Sequence, residues 1–136
     1  MKRSTKVSSS RRKQRKQLYS APSSLRRKIM SCRLSKDNRA KHQVRNLPIR
    51  KNDVVKIVKG PHKNKTGKVT AVYRKKWCIH VDKITKDKQN NQTVNIPIKT
   101  SNCVIETLHL DKDRKNLIER ASKAGQKEKN KGVAKN

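Results

Sequence analysis

From Asp53 to Thr107 the apolar side chains recur at every second position. Val55 and Ile57 alternate with Lys56. Val69, Ala71 and Tyr73 alternate with Lys68, Thr70 and Val72. Trp77, Ile79 and Val81 alternate with Cys78, His80 and Asp82. Val94, Ile96 and Ile98 alternate with Asn95 and Lys99, and Cys103, Ile105 and Thr107 form a fifth run. A period of two sends one row of side chains inward and the other to solvent, the pattern of half-buried strands. Between the runs lie turn signals: the basic Gly60–Gly67 segment, a tight tip at Arg74-Lys75-Lys76, and a longer polar connection from Lys86 to Gln92 with Asn90-Asn91. Five short strands joined by hairpin turns predict a mainly β fold that closes into a small five-stranded barrel, because closure removes exposed edges.

The charge says what such a fold faces. The chain has 136 residues, with 39 Lys and Arg against 9 acids, a formal charge of +30. A chain of that charge repels itself unless a polyanion neutralises it. Residues 1–52 carry 18 Lys and Arg against Asp37 alone; residues 53–110 carry 12 against 4; residues 111–136 carry 9 against 4. These three stretches are the expected domains: a basic arm, the barrel, and a C-terminal helix with a Lys-rich tail. The arm has few apolar side chains and reads as a segment that orders on a partner. The barrel segment, of about 60 residues, is near the lower limit for an unaided core. The absence of Phe and a single Trp agree with a small core.

Several classes are excluded. No apolar run approaches the roughly 20 residues of a membrane span, and the basic N-terminus lacks the apolar segment of a secretory signal. Cys32, Cys78 and Cys103 are odd in number and widely spaced, which fits a reducing compartment and makes no CxxC pattern. His42, His62, His80 and His109 have no Cys or carboxylate at ligand or triad spacing; His80 lies two residues from Cys78, but no second pair follows. No catalytic residue, metal site, cofactor or small-molecule substrate is expected.

The flanks carry local helix signals. Residues 1–20 have almost no hydrophobic period and read as extended, with Arg11-Arg12-Lys13-Gln14-Arg15-Lys16 as the densest cluster. That cluster is either a solvated tail or a phosphate-binding arm, and the local charge favours the second. A Ser after Pro22 can cap a short helix with Leu25 and Ile29 at i, i+4 facing the core and Arg26, Arg27 and Lys28 facing out. Ser35 can cap a second helix to about His42, and Asn46-Leu47-Pro48-Ile49 reads as an extended lead-in. Asp111 and Asp113 suit a helix N-terminus over 111–124, with Leu117, Ile118 and Ala121 on its apolar side and Gly125 as its stop.

No acidic residue occurs from Val54 to His80. The Gly60–Gly67 loop can present backbone amides together with Lys63, Lys65 and Lys68, and its glycines permit positive φ and close approach to a phosphate. The bland alternative is an ordinary hairpin turn; it is not a Walker loop, since GxxxxGK[ST] is missing and no helix follows. Tyr73 and Trp77 flank the basic tip, where rings can stack on bases, but the alternation puts both on the inward face and favours core packing.

The order Gly60–xx–Lys63-Asn64-Lys65–x–Gly67-Lys68-Val69 after an apolar run resembles a KOW motif, a signature of SH3-like barrels in ribosomal proteins and transcription elongation factors. Tyr19-Ser20-Ala21-Pro22-Ser23, Arg26 to Ser31, Leu34-Ser35-Lys36, Val44-Arg45, Leu47 to Lys51, Val72 to Lys76 and Leu110 to Lys115 follow in the order of one family. The chain thus resembles, over roughly residues 11–124, the universal KOW-containing large-subunit ribosomal protein, twenty-sixth in the eukaryotic numbering and twenty-fourth in the bacterial. The Leu110–Lys115 extension is similar to the eukaryotic branch. Asn64 stands where the motif usually has Gly, and it tolerates the left-handed conformation. Pro97, Lys99 and Thr100 stand where eukaryotic members often carry Gly, His and Pro.

The resemblance implies a structural, non-enzymatic component of the large ribosomal subunit. It would bind the 5′ region of the large-subunit rRNA early in assembly and lie beside the polypeptide exit tunnel among neighbouring ribosomal proteins. Its place would be the cytoplasmic ribosome, after passage through the nucleolus. The expected rRNA contacts are Arg11, Arg12, Arg15, Lys16, Arg26, Arg27, Lys28, Arg33 and Arg45 in the arm, and Lys63, Lys65, Lys68, Arg74, Lys75 and Lys76 in the barrel, with Gly60, Asn64 and Gly67 shaping the loop. A transcription-elongation KOW module is the rival and predicts an additional domain and a less basic arm. A nuclear nucleic-acid-binding protein, with the Arg11–Lys16 cluster as import signal, is the other.

Overall fold

In the computed structural model the chain is described over residues 7–133, with side chains through residue 124. Helix α1 (Arg11–Tyr19) and helix α2 (Ser23–Ile29) lead into strand β1 (Ser31–Leu34), helix α3 (Lys36–His42) and strand β2 (Asn46–Pro48). Strands β3 (Val54–Ile57), β4 (Thr66–Tyr73) and β5 (Cys78–Val81) follow, then the hairpin of β6 (Thr85–Asp87) and β7 (Thr93–Asn95). A 3₁₀ turn over Thr100–Asn102 precedes β8 (Cys103–Thr107), and α4 (Lys112–Val133) ends the described chain.

The core lies on a six-stranded sheet in the order β2-β1-β8-β3-β4-β5. Neighbours are antiparallel except β1 and β8, which run parallel through Arg33 beside Val104 and Leu34 beside Ile105. The period-two pattern holds where it was cleanest. Val55, Ile57, Val69, Ile79, Val81, Cys103 and Ile105 are all buried. The mainly β class follows. The pairing is an open ladder with β2 and β5 at its ends, not the expected closed ring of five strands. The fourth run is the point of departure. Thr93–Asn95 pairs with β6 in a separate, fully exposed hairpin, whereas Ile98 bridges to Ile79.

The phase of β4 also departs from simple alternation. Val69 faces Val81, but Ala71 faces His80, so β4 carries one extra residue there. A bulge of this kind turns the following side chains to the opposite face. Val72 therefore packs against the core, and Tyr73, expected inward, is exposed.

Residues before Asp53 take part in the core. Met30, Cys32, Leu34, Val44, Leu47 and Ile49 belong to the same buried cluster as the strands. β3 takes one edge of β8, and β1 covers the other, which an open edge strand requires. Of the segment read as extended over residues 1–20, residues 7–10 carry no helix, but Arg11–Tyr19 form α1, which buries no residue; Arg, Lys and Gln are good helix formers without tertiary help. Residues 1–6 lie outside the described residues. In α2 the expected apolar side does not dock: Leu25 and Ile29 are exposed, and Met30 just beyond the helix is buried instead. Pro22 occupies the N-cap with no side-chain cap. Ser35 does cap α3, its side chain accepting from the Asn38 amide at 3.3 Å.

Helix α4 is anchored at its start. The Asp111 carboxylate accepts from the Arg114 amide at 2.7 Å, and Leu117, Ile118 and Ala121 pack on the core. The helix runs through Gly125 to Val133 rather than stopping there; one interior glycine costs a helix only about 1 kcal/mol.

Candidate nucleic-acid interface

The loop between β3 and β4 is built by two residues of positive φ, Gly60 at 101° and Asn64 at 68°. Asn64 thus does what the sequence demanded of it. The Lys63, Asn64 and Lys65 amides donate to the Gly60, Ile57 and His62 carbonyls at 3.1, 2.8 and 3.2 Å. Those amides are spent on the turn itself, so the loop does not offer them as a phosphate cradle. It offers ammonium groups: Lys63, Lys65 and Lys68 are all exposed. Gly67 is required by space. A Cβ there would sit 2.7 Å from the Asp82 carbonyl oxygen and 2.7 Å from Val81 Cγ1.

The β4–β5 turn presents Arg74, Lys75 and Lys76, all exposed, and closes at Trp77, whose φ of 58° is unusual for a bulky residue. Arg26 of α2 holds this turn. Its guanidinium lies 5.2 Å from the centre of the Trp77 ring and donates to the Ala21, Tyr19 and Lys75 carbonyls at 2.7, 2.8 and 3.4 Å. Arg26 is therefore a clamp between the end of α1, α2 and the hairpin tip, with three of its N–H groups given to protein carbonyls. On the other side of the turn, the rings of Tyr73 and His80 lie 4.7 Å apart, and the Lys76 ammonium is 5.6 Å over Tyr73.

The remaining candidates lie on the arm. Arg11, Arg12, Arg15 and Lys16 are exposed on α1, with Arg15 5.0 Å over the Tyr19 ring. Lys28 is exposed and Arg27 half-buried. Arg33 and Arg45 are exposed on the paired segments around β1 and β2, where the Leu34 amide donates to the Arg45 carbonyl at 3.1 Å. The fold thus joins the Arg26 region to the 74–76 tip, a junction across 49 positions of sequence.

One group escaped the sequence reading. Asp53 is fully buried and pairs with Arg114, itself 2% exposed. Arg114 donates to both Asp53 oxygens at 2.7 and 2.8 Å, and also to the Pro48 and His109 carbonyls at 3.2 and 3.4 Å. Asp53 further accepts from the Arg50 and His109 amides at 2.9 and 3.0 Å. Arg50 in turn pairs with Asp111. A signal was present: Asp53 is the only acid between Asp37 and Asp82, amid many cations.

Among the described residues no group of three His, Cys, Asp or Glu could hold a metal ion, and no helix is long and apolar enough to cross a membrane. The Cys32 thiol is pushed up to about 12, chiefly by burial, and donates to the Cys103 carbonyl at 2.8 Å. Burial also pushes Cys103 up to about 11. Both thiols are protonated at neutral pH and unsuited to nucleophilic attack.

A family model that describes the eukaryotic L26 and archaeal L24 ribosomal proteins matches residues 8–121. The large ribosomal subunit protein uL24 of Dictyostelium discoideum is 54% identical over 123 residues, covering 90% of this chain and 88% of that protein. Its counterpart in Schizosaccharomyces pombe is 48% identical, covering 88% and 95%. The uL24A protein of Saccharomyces cerevisiae is 50% identical, covering 88% and 94%. The matched span runs from just before α1 into the docked part of α4, so the similarity takes in the arm and the sheet alike.

Proposed function

This chain belongs to the ribosomal protein family called L26 in eukaryotes and L24 in archaea, and on that premise we propose that it is a structural constituent of the large ribosomal subunit, not an enzyme, that binds rRNA and supports subunit assembly. Residues 1–52 serve as the rRNA-binding arm, residues 53–110 as the platform, and residues 111–136 as a C-terminal helix that lies on a further RNA or protein surface. The platform is read as SH3-like, with β3, β4, β5 and β8 as its strands and the Ile79–Ile98 bridge spanning its gap. Placement near the 5′ region of the rRNA and beside the exit tunnel is part of the same reading, as is a cytoplasmic ribosome reached through the nucleolus.

The observation that carries the reading is the basic surface itself. Most of its cations are exposed on the sheet, a turn and a helix, while Asp53, the acid just before β3, is buried and neutralised by Arg114. Affinity then comes mainly from phosphate contacts with counterion release, and specificity from RNA shape. Sedimentation of cell lysate tests it. The protein is expected to co-migrate with the large subunit at high salt; a free pool, or migration with a polymerase-sized complex, overturns the proposal.

A further inference from the structure

The geometry points to Tyr73 as a stacking platform for an unpaired RNA base, with Arg74, Lys75 and Lys76 on the phosphates beside it. This rests on the RNA-binding reading above and narrows it to a single-stranded loop or bulge at the β4–β5 turn.

The chain has two Tyr, one Trp and no Phe. A core so poor in aromatics has every reason to bury the rings it has, yet Tyr73 is 42% exposed. The cause is the extra residue between Val69 and Ala71, which spends Val72 on the core and turns Tyr73 outward. The ring is not loose. His80, half-buried on the paired strand, supports it at 4.7 Å with an interplanar angle of 57°. The Lys76 ammonium lies 5.6 Å over the ring. That ammonium covers the face by a cation–π contact, one of about 0.5–1 kcal/mol at an exposed site. Lys76 sits on a long flexible stem, so an arriving base displaces the ammonium toward the phosphate next to it.

The other rings are less suited. Trp77 packs against the core and is covered by the Arg26 guanidinium. Tyr19, 55% exposed with the Arg15 guanidinium over its ring, is tied to Arg26 by its backbone alone, and among the described residues no second ring supports it. Tyr73 alone combines exposure, a supporting ring and three adjacent cations. A base inside an A-form duplex presents no face to such a ring, whereas an unstacked base does. The turn therefore selects RNA whose local structure is open.

The test uses the full chain with two probes: a ten-nucleotide single-stranded oligoadenylate and inorganic polyphosphate of matched charge. Tyr73→Leu is expected to weaken the oligoadenylate about 5- to 150-fold, the range for losing one base–aromatic stack, and to leave polyphosphate binding within about twofold. Tyr73→Phe is expected to keep both affinities. Equal losses on both probes, or none on the oligoadenylate, overturn the stacking role while leaving RNA binding intact. A wild-type chain that binds neither probe overturns the RNA-binding reading instead. Should Tyr73→Leu fail to fold, the wild type still decides: oligoadenylate must shift the Tyr73 ring protons upfield by ring current, and unmoved resonances sink the proposal.

Discussion

Asp53 and Arg114 are both removed from water, and each is fully partnered. Taking out one side of such a pair leaves an uncompensated buried charge, at about 3–5 kcal/mol. Arg114→Met is therefore expected to lower unfolding stability by that amount in urea titration, with the double variant Asp53→Leu/Arg114→Met recovering part of the loss. A double variant whose cost equals the sum of the two singles would show that the residues act separately. The same scale explains why two glycines of one loop are needed for different reasons. Gly60 has open space but a φ of 101°, whereas Gly67 meets the backbone of Asp82.

At the scale of elements, the start of α4 is a junction. Asp111 caps the helix through the Arg114 amide and pairs with Arg50, at the end of the segment that follows β2. Those contacts hold its carboxyl below the ordinary value of 3.8, the Arg114 amide first and the Arg50 charge after it. A carboxyl with a depressed folded-state pKa stabilises fully above its unfolded value, and the contribution fades as pH falls through the folded value. Asp111→Asn is thus expected to melt below the wild type at neutral pH, with the two melting temperatures converging as pH drops beneath about 4. A gap that persists in acid would mean that the charge of Asp111 is not what matters. The element scale also shows the limit of helix patterns. Leu25 and Ile29 have helical spacing, but α2 turns them outward because Met30 and the Arg26 clamp fix the helix against β2 and the hairpin.

For the whole molecule the governing quantity is charge. A formal +30 on 136 residues makes association with a polyanion strongly salt-dependent. Reversing Arg74, Lys75 and Lys76 to Glu is expected to weaken rRNA binding and to reduce the salt slope by about 2, the value for three lost contacts to a single strand. An unchanged slope would mean that the tip touches no phosphate. This prediction is separate from the Tyr73 test, which changes no charge.

The sequence by itself determined what a few neighbouring residues settle. Val55, Ile57, Ile79 and Ile105 announced their strands by alternation, Ser35 its cap, and Asn64 its left-handed turn, because each depends on residues within one turn or one strand. The charge also called for a polyanionic partner, and the motif order pointed to the family. Only the tertiary structure decided the rest. It set β1 parallel to β8, split the 94–98 run between two pairings, and flipped Tyr73 by a single inserted residue on β4. It joined Asp53 to Arg114 across 61 positions. These outcomes depend on which edges are open and which charges are buried once the strands have met. A local pattern carries no record of that, so the face of Tyr73, on which the proposed base contact rests, had to be read from the packed molecule.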